Sequence, residues 1–371
     1  RRPGKRSMSE IPGGAWLTPM ENRLFCGMPS AFPGREEAVV PIVFAANEAF
    51  APPCAVAIAS VFANASPNRF YDVVVLESDI RPETRQLLQS LTRGQPHLSI
   101  RFFNAAPLIQ GYDLKANSHI TVETFYRFLI QDLLPDYDKV LYLDGDLVCD
   151  QDVAELYDED VGGFLLAAVR DADMLGNLNL KPQRVEYLRQ ELDMRQPYDY
   201  FQAGVLLLNL KEMRSAYSTR QWLTFATHRY LYSDQDVLNR YCQGRVKYLD
   251  MGWNVLMDFD NYRVAEIISA APEDVRQAYL ASRACPRIVH YAGYRKPWKY
   301  PNVDFGLLFW KYARLTPWYE QMLLDVVRQM QEEASFHARA KAAWAKIKLF
   351  LLPKNSPLRR WLKKLLGREE V

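Results

Sequence analysis

Two aspartates separated by one glycine end the apolar run Lys139-Val140-Leu141-Tyr142-Leu143-Asp144-Gly145-Asp146. Val140 to Leu143 is apolar without alternation, the pattern of a strand buried on both faces of a parallel sheet, and such sheets bind ligands beyond the carboxyl ends of their strands. On extended backbone, residues i and i+2 project to one side. Asp144 and Asp146 can therefore offer two carboxylates to one cation, with Gly145 leaving the backbone open to a ligand. Two hard oxygen donors suit Mg²⁺ or Mn²⁺, which take one or two protein carboxylates and complete their shells with substrate phosphate oxygens. The plainer alternative is a solvated turn that closes a strand, since Asp-x-Asp is a common pattern.

Four further segments carry chemistry. Phe44-Ala45-Ala46-Asn47-Glu48 ends the first apolar strand, where nucleotide contacts fall in a doubly wound sheet. No Gly-x-Gly-x-x-Gly follows it, which weakens a dinucleotide reading. Phe125-Tyr126-Arg127-Phe128 sets an arginine in an apolar helix, which calls for an anionic partner, either an interior carboxylate or a ligand. Ser233-Asp234-Gln235-Asp236 opens a helix in which Val237, Leu238 and Tyr241 face a core, and Asp234 serves either the helix cap or a site. His290 follows the apolar Ile288-Val289 and precedes Gly293 and Lys296, which can reach phosphates. A lone histidine is usually structural. With Asp144 and Asp146, however, His290 completes a three-ligand cation site, and its imidazole favours Mn²⁺ over Mg²⁺.

The elements that must position these residues alternate along the first half of the chain. Strands are predicted at Val39 to Ala46, Asp72 to Leu76, Leu98 to Phe103 and Val140 to Leu143. Helices are predicted at Pro53 to Asn64, Pro82 to Thr92 and Val122 to Leu134. This order implies an α/β fold, a mostly parallel sheet with helices on both faces. Phe164 to Val169 and Val205 to Asn209 read as further strands. Leu210 to Arg214, Asp234 to Tyr241 with Ser233 as N-cap, and Pro317 to Gln331 read as helices. Residues 1–37, rich in Gly and Pro and without a period, read as an irregular leader or a strap over the core. The basic start lacks a following apolar core and makes a poor signal peptide.

Composition is that of a globular chain, with 49% apolar and 24% charged residues among 371. Five scattered cysteines without Cys-x-x-Cys spacing argue against a disulfide framework or a zinc site and favour a reducing compartment. The net charge of +2 hides an asymmetry: residues 335–371 hold ten Lys or Arg against two Glu, so the tail carries +8 and the rest −6. Leu358, Trp361, Leu362 and Leu365 lie at i, i+3, i+4 and i+7, opposite Arg359, Arg360, Lys363 and Lys364. Trp344, Ile347, Phe350 and Leu351 form a second apolar stretch beside Lys341, Lys346 and Lys348. Such a basic amphipathic segment fits an anionic membrane interface; docking on the main domain is the alternative. A nucleic-acid partner is not expected, because no recognisable basic and aromatic binding motif accompanies it. No run of 18 apolar residues reads as a membrane span.

In order along the chain, Phe44-Ala45-Ala46, Tyr126-Arg127, Leu141 to Asp146, Phe201-Gln202-Ala203-Gly204-Val205, Asp234-Gln235-Asp236, His290-Tyr291-Ala292-Gly293 and Lys296-Pro297-Trp298 resemble glycosyltransferase family 8. Its bacterial members include lipopolysaccharide core α-glucosyltransferases and α-galactosyltransferases. The resemblance runs from about Val39 to Tyr319. It implies a GT-A type nucleotide-diphospho-sugar transferase fold, a UDP-glucose or UDP-galactose donor, a divalent cation and retention of anomeric configuration. Carried over motif by motif, Asp144, Asp146 and His290 would hold Mn²⁺ against the diphosphate, and Lys296 would stabilise charge on the leaving UDP. Gly145 belongs to the same donor-binding set. Gly293 would let the backbone approach the diphosphate, and Ala46 with Asn47 would hold uridine. Arg127 would contact donor sugar or phosphate, Asp234 the sugar hydroxyls, and Gln235 would lie beside the β face of the reacting sugar. Asn47 stands where the family often has Asp, and Gln202 stands in the donor pocket where it often has Asn.

The resulting expectation is a retaining hexosyltransferase built from an irregular leader (1–37), a catalytic domain (38–334) and a basic amphipathic tail (335–371). It would be cytoplasmic and peripheral on the inner face of the cytoplasmic membrane, transferring glucose or galactose to a glycolipid or oligosaccharide acceptor such as lipopolysaccharide core or a capsular polysaccharide. A metal-dependent nucleotidyltransferase would need a Gly-rich basic loop after the first strand, which Phe44 to Phe50 does not provide. A non-catalytic nucleotide-sugar or glycan-binding module would be marked by loss of Asp144, Asp146 or His290, and all three are present.

Overall fold

The computed structural model describes residues 27–116 and 121–351. Its strands are Val39–Ala46 (β1), Phe70–Glu77 (β2), Leu98–Asn104 (β3), Lys139–Leu143 (β4), Leu147–Cys149 (β5), Leu166–Arg170 (β6), Phe201–Asn209 (β7), Val246–Tyr248 (β8), Val255–Leu256 (β9) and Ile288–His290 (β10). Seven form one sheet in the order β3-β2-β1-β4-β7-β6-β8. Within it only β7 runs against its neighbours β4 and β6; every other pairing is parallel. The carboxyl ends of β1, β4 and β6 and the amino end of β7 therefore share one edge, where the fold places its ligand crevice.

Burial follows from composition. Val140 to Leu143 and Val205 to Leu208 are solvent-free, and the helix Ala51–Ala63 lies sunk in the core along most of its length. Asp72, a charged side chain inside β2, accepts from Arg101 Nη2 at 2.6 Å and from the Tyr137 hydroxyl at 2.7 Å, so its burial is compensated.

A second sheet, β5-β10-β9, explains how distant residues meet. His290 at the end of β10 pairs with Leu147 at the start of β5, and Asp144-Gly145-Asp146 is the link by which the chain leaves the large sheet and enters the small one. Tyr291 N–H donates to the Asp146 carbonyl at 2.9 Å and Asp144 N–H to the Gly204 carbonyl at 2.8 Å, pinning that link at both ends.

Most predicted elements occur within a few residues of their predicted bounds. Two expectations are corrected. Val122 to Leu134 is not one α-helix: Val122–Leu129 is 3₁₀ and only Ile130–Leu133 is α-helical. Ser233 is no N-cap. It has φ of 47° and a buried hydroxyl without a hydrogen-bond partner, and Tyr232 occupies the capping position. The segment 27–35 is a strap: Met28 N–H donates to the Leu133 carbonyl at 2.7 Å and Arg101 Nη1 to the Pro29 carbonyl at 2.6 Å. The final helix, Tyr319–Leu351, runs on through Ser335, where the basic composition begins. The amphipathic stretch Leu358 to Leu365 lies outside the described residues. Cys54, Cys149 and Cys242 are buried free thiols, and Cys285 is exposed and free.

Candidate active site

A cavity of about 850 Å³ opens at the shared strand edge. Asp144, Asp146 and His290 bring one ligand atom each within 4.8 Å of one another on its wall. His290 Nε2 lies 3.2 Å from Asp146 Oδ1 and 3.8 Å from Asp144 Oδ2. Two carboxylates and an imidazole form a donor set that fits Mn²⁺ or Mg²⁺, with the cavity side left for substrate oxygens. The backbone is shaped to allow it: a Cβ on Gly204 would collide with His290 Cε1 and lie 2.6 Å from Asp144 Oδ2. Lys296 Nζ donates to Asp146 Oδ2 and, at 2.8 Å, to the Tyr291 carbonyl. Burial pushes the Asp146 carboxyl up, but Lys296 and His290 outweigh it and hold the group well below the usual carboxylate range.

The neighbouring wall is a second charged cluster. Arg127 is buried, and its Nη1 donates to the Ala203 carbonyl at 2.7 Å and pairs with Asp234 Oδ2 at 3.0 Å. Its Nη2 reaches the Tyr142 hydroxyl at 3.0 Å and Asp144 Oδ1 at 3.1 Å. The anionic partner that the sequence demanded is thus the buried carboxylate of Asp234, with Asp144 on the cavity wall as a second. Asp234 also accepts from the Thr124 hydroxyl at 2.7 Å; burial raises its carboxyl, and Arg127 opposes the rise. Gln235 has both ends of its amide fixed. Its Oε1 accepts from Ala203 N–H at 2.9 Å and its Nε2 donates to Asp171 Oδ2 at 3.0 Å. Asp171 caps the helix Ala172–Leu180 through Met174 N–H at 2.9 Å, and burial, with Asp173 nearby, pushes its carboxyl up to about 6.

Of the residues singled out from sequence, Arg127, Asp144, Asp146, Gln202, Asp234, Gln235, His290, Gly293 and Lys296 line this cavity. Ala46, Asn47 and Gly145 are not on its wall. Asn47 Oδ1 accepts from Phe50 N–H at 3.0 Å and so caps the turn Glu48–Phe50. The side of Gly145 where a Cβ would stand is filled by Phe50 and Cys54 within 3.1–3.3 Å, so packing accounts for this glycine. Sequence reading missed Thr124, Asp171, Asp173 and Arg263, which also line the cavity, and Asn254, which touches His290. Asp171 stands two residues after the predicted strand Phe164 to Val169 and directly after the observed β6, the one signal that could have marked it.

A crevice at the carboxyl edge of a mostly parallel sheet, with a carboxylate pair and a histidine on its wall, has the donor set of an enzyme that works through a divalent cation. The profile of glycosyl transferase family 8 matches residues 41–301, and the chain belongs to that family. It is 25% identical over 291 residues to a lipopolysaccharide 1,3-galactosyltransferase of Salmonella typhimurium, covering 75% of this chain and 79% of that protein. The solved galactosyltransferase LgtC, in complex with donor and acceptor sugar analogs, superposes with a TM-score of 0.60 at 28% identity, over 75% of this chain and 96% of LgtC. The bifunctional glycosyltransferase WbbM superposes with a TM-score of 0.72 at 28% identity, over 81% of this chain; the chain spans only 53% of WbbM. The fold is of the GT-A type, and the chain is a metal-dependent retaining glycosyltransferase.

Proposed function

We propose that the enzyme transfers glucose or galactose from a UDP-sugar to a lipid-linked glycan, such as lipopolysaccharide core or a cell-surface polysaccharide, with an α-linkage. The observation that carries this reading is the meeting of Asp144, Asp146 and His290 on the wall of a cavity that also holds Arg127, Asp234, Gln235 and Lys296. Asp144, Asp146 and His290 would hold Mn²⁺, or Mg²⁺, beside the donor's diphosphate. When bound, the cation neutralises charge on the leaving group. Lys296 and the Gly293 backbone complete the diphosphate contacts, Ala46 and Asn47 hold uridine at the end of β1, and Gln202 lines the adjoining wall. Arg127 aligns Asp234 with the sugar hydroxyls.

The wiring of the wall supports retention without a carboxylate nucleophile: beside Gln235, Asp171 is tied to the Gln235 amide and Met174 N–H, and Asp173 is paired with Arg263. Asp236 is shut inside the core, accepting from the Tyr187 hydroxyl at 2.6 Å, the Tyr200 hydroxyl at 2.7 Å and Tyr232 N–H at 2.8 Å. Asp234 is held by Arg127 and Thr124, and Gln235 is neutral. A double displacement needs a free carboxylate on the far face of the sugar. The reading is therefore front-face displacement. The bond from the anomeric carbon to the UDP oxygen breaks, the acceptor oxygen bonds on that same face, and the acceptor proton passes to the departing phosphate oxygen. Gln235 Oε1 supports the positive charge that develops on the ring. A covalent sugar adduct trapped on Asp234 or Asp236 would overturn this mechanism.

Release of UDP from UDP-glucose, UDP-galactose, UDP-N-acetylglucosamine and UDP-glucuronate, with and without Mn²⁺, tests the donor. Metal-stimulated release from one of the first two supports the reading, and none from any donor refutes it. Residues 38–334 form the catalytic unit of this proposal, and the basic tail 335–371 brings it to the inner face of an anionic membrane. No helix among the described residues is long and apolar enough to cross a membrane. Loss of binding to anionic vesicles on deletion after residue 335 would bear the tail's role out, and unchanged partitioning would remove it.

A further inference from the structure

We propose that Asn254, held in place by Gln202, is a positioning residue that fixes the ring of His290 so that Nε2 faces the cation; this rests on the reading of Asp144, Asp146 and His290 as cation ligands. The assignment can be traced atom by atom from a group that has only one role. Gly204 N–H can only donate, and it points at the side-chain oxygen of Gln202 at 2.5 Å. That atom is therefore Oε1, an acceptor. Asn254 lies 2.7 Å from the same Oε1, so the atom it presents there must be the donor Nδ2. Its other end, Oδ1, then faces His290 Nδ1 at 3.1 Å and can only accept. The Nδ1 position must carry the hydrogen, which leaves Nε2, on the side of Asp144 and Asp146, as the ligating nitrogen. Asn254 is 3% exposed and His290 2%, so solvent does not compete for these bonds.

The relay gives Gln202 a use that its place on the cavity wall alone does not. Its side chain spans from the Gly204 amide to Asn254, and the extra methylene relative to asparagine supplies the reach. Gly204 is thereby used twice: its missing side chain makes room for His290 and Asp144, and its amide sets the polarity of the chain of hydrogen bonds that ends on the same histidine. Partners behind a ligating histidine typically govern metal affinity by about 10- to 100-fold.

The test is Mn²⁺ binding by the full chain, read from the electron paramagnetic resonance of free Mn²⁺, in four proteins: wild type, Asn254→Leu, Asn254→Asp and His290→Ala. Asn254→Leu keeps the volume and removes the acceptor, and its affinity is expected to fall about tenfold or more. Asn254→Asp keeps an oxygen toward Nδ1 but gives up the donor to Gln202, and is expected to lose clearly less affinity than Asn254→Leu. Equal losses in Asn254→Leu and Asn254→Asp would show that the residue only packs, and would overturn the proposal. Unchanged binding in Asn254→Leu, with loss in His290→Ala, would also overturn it while leaving the cation site standing. Unchanged binding in His290→Ala would instead remove the cation site itself, and the proposal with it. Gln202→Asn supplies a second arm in which no core acceptor is deleted. A smaller loss than in Asn254→Leu supports the relay, and no loss at all contradicts the part given to Gln202.

Discussion

Asp144-Gly145-Asp146 and Asp234-Gln235-Asp236 have the same spacing of acids and opposite outcomes. The first lies on the link between two sheets, turning at Gly145-Asp146, and both carboxylates reach one cluster with His290. The second opens the helix Ser233–Cys242, where two steps turn the side chain by about 200°. Asp234 faces the cavity and Asp236 the core, where two tyrosines hold it. The path of the backbone, rather than the identity of the residues, decides whether two carboxylates gather in one cluster or are divided between cavity and core. The environments diverge accordingly: Asp146 is held low by Lys296 and His290 against its burial, whereas burial pushes Asp236 up to about 7.

That contrast is open to attack by substitution. The largest effect is expected for Asp146→Asn, which should cut metal-stimulated UDP release by about 10³-fold, while Asp236→Asn stays within about tenfold of wild type. Comparable losses in the two variants would abolish the distinction. Next, Gly204→Ala should cost about 10²-fold, because an added methyl displaces both His290 and Asp144 from the cation, and a near-ångström misplacement has that order of consequence. Full activity in this variant would show that the cluster tolerates a different shape.

A milder effect separates the two acids by pH. Asp236 in the folded chain holds its proton to about pH 7, well above the usual 3.8, so the folded state binds a proton that the unfolded state has released. Its contribution to stability is fully present below about pH 4 and is lost as pH rises through about 7. Melting temperatures measured from pH 5 to 8 should fall less steeply in Asp236→Asn than in wild type, and parallel slopes would contradict the assignment. The smallest effect is expected at Asn47, which poses the same choice between fold and ligand at the end of β1. Asn47→Ala should cost about 1 kcal/mol of stability through its lost cap and raise the KM for the UDP-sugar by less than about tenfold. An unchanged KM would leave Asn47 a cap alone.

Much of this was legible in the chain. The alternation of apolar strands and helices gave the sheet, and an acidic pair after an unbroken apolar strand, with a histidine at the end of another, marked the cluster of Asp144, Asp146 and His290. What escaped reading depends on contacts between segments far apart in sequence. Asn254 meets His290 only because β9, which follows it, lies beside β10, and nothing in Gly252-Trp253-Asn254 announces that contact. The helices Ala172–Leu180 and Pro182–Gln190 lie where no element was predicted: the first is buried over most of its length and the second buries only Leu188, so neither shows a clear apolar period. Val122 to Leu129 has the amphipathic pattern of an α-helix but winds as 3₁₀ while Arg127 reaches Ala203, Asp144 and Asp234, three partners from other elements. Ser233 looked like a cap because its type is right, and a left-handed φ at that position cannot be read from residue type.

The central claim is that Asp144, Asp146 and His290 form one cation site that serves a nucleoside diphosphate. Titration of Mn²⁺ into the full chain, with and without UDP, tests it most directly when wild type and Asp146→Asn are compared. The expected result is one Mn²⁺ per wild-type chain, bound more tightly when UDP is present, and loss of that site in the variant. Equal Mn²⁺ binding by the two proteins, or no effect of UDP on the wild type, would contradict it.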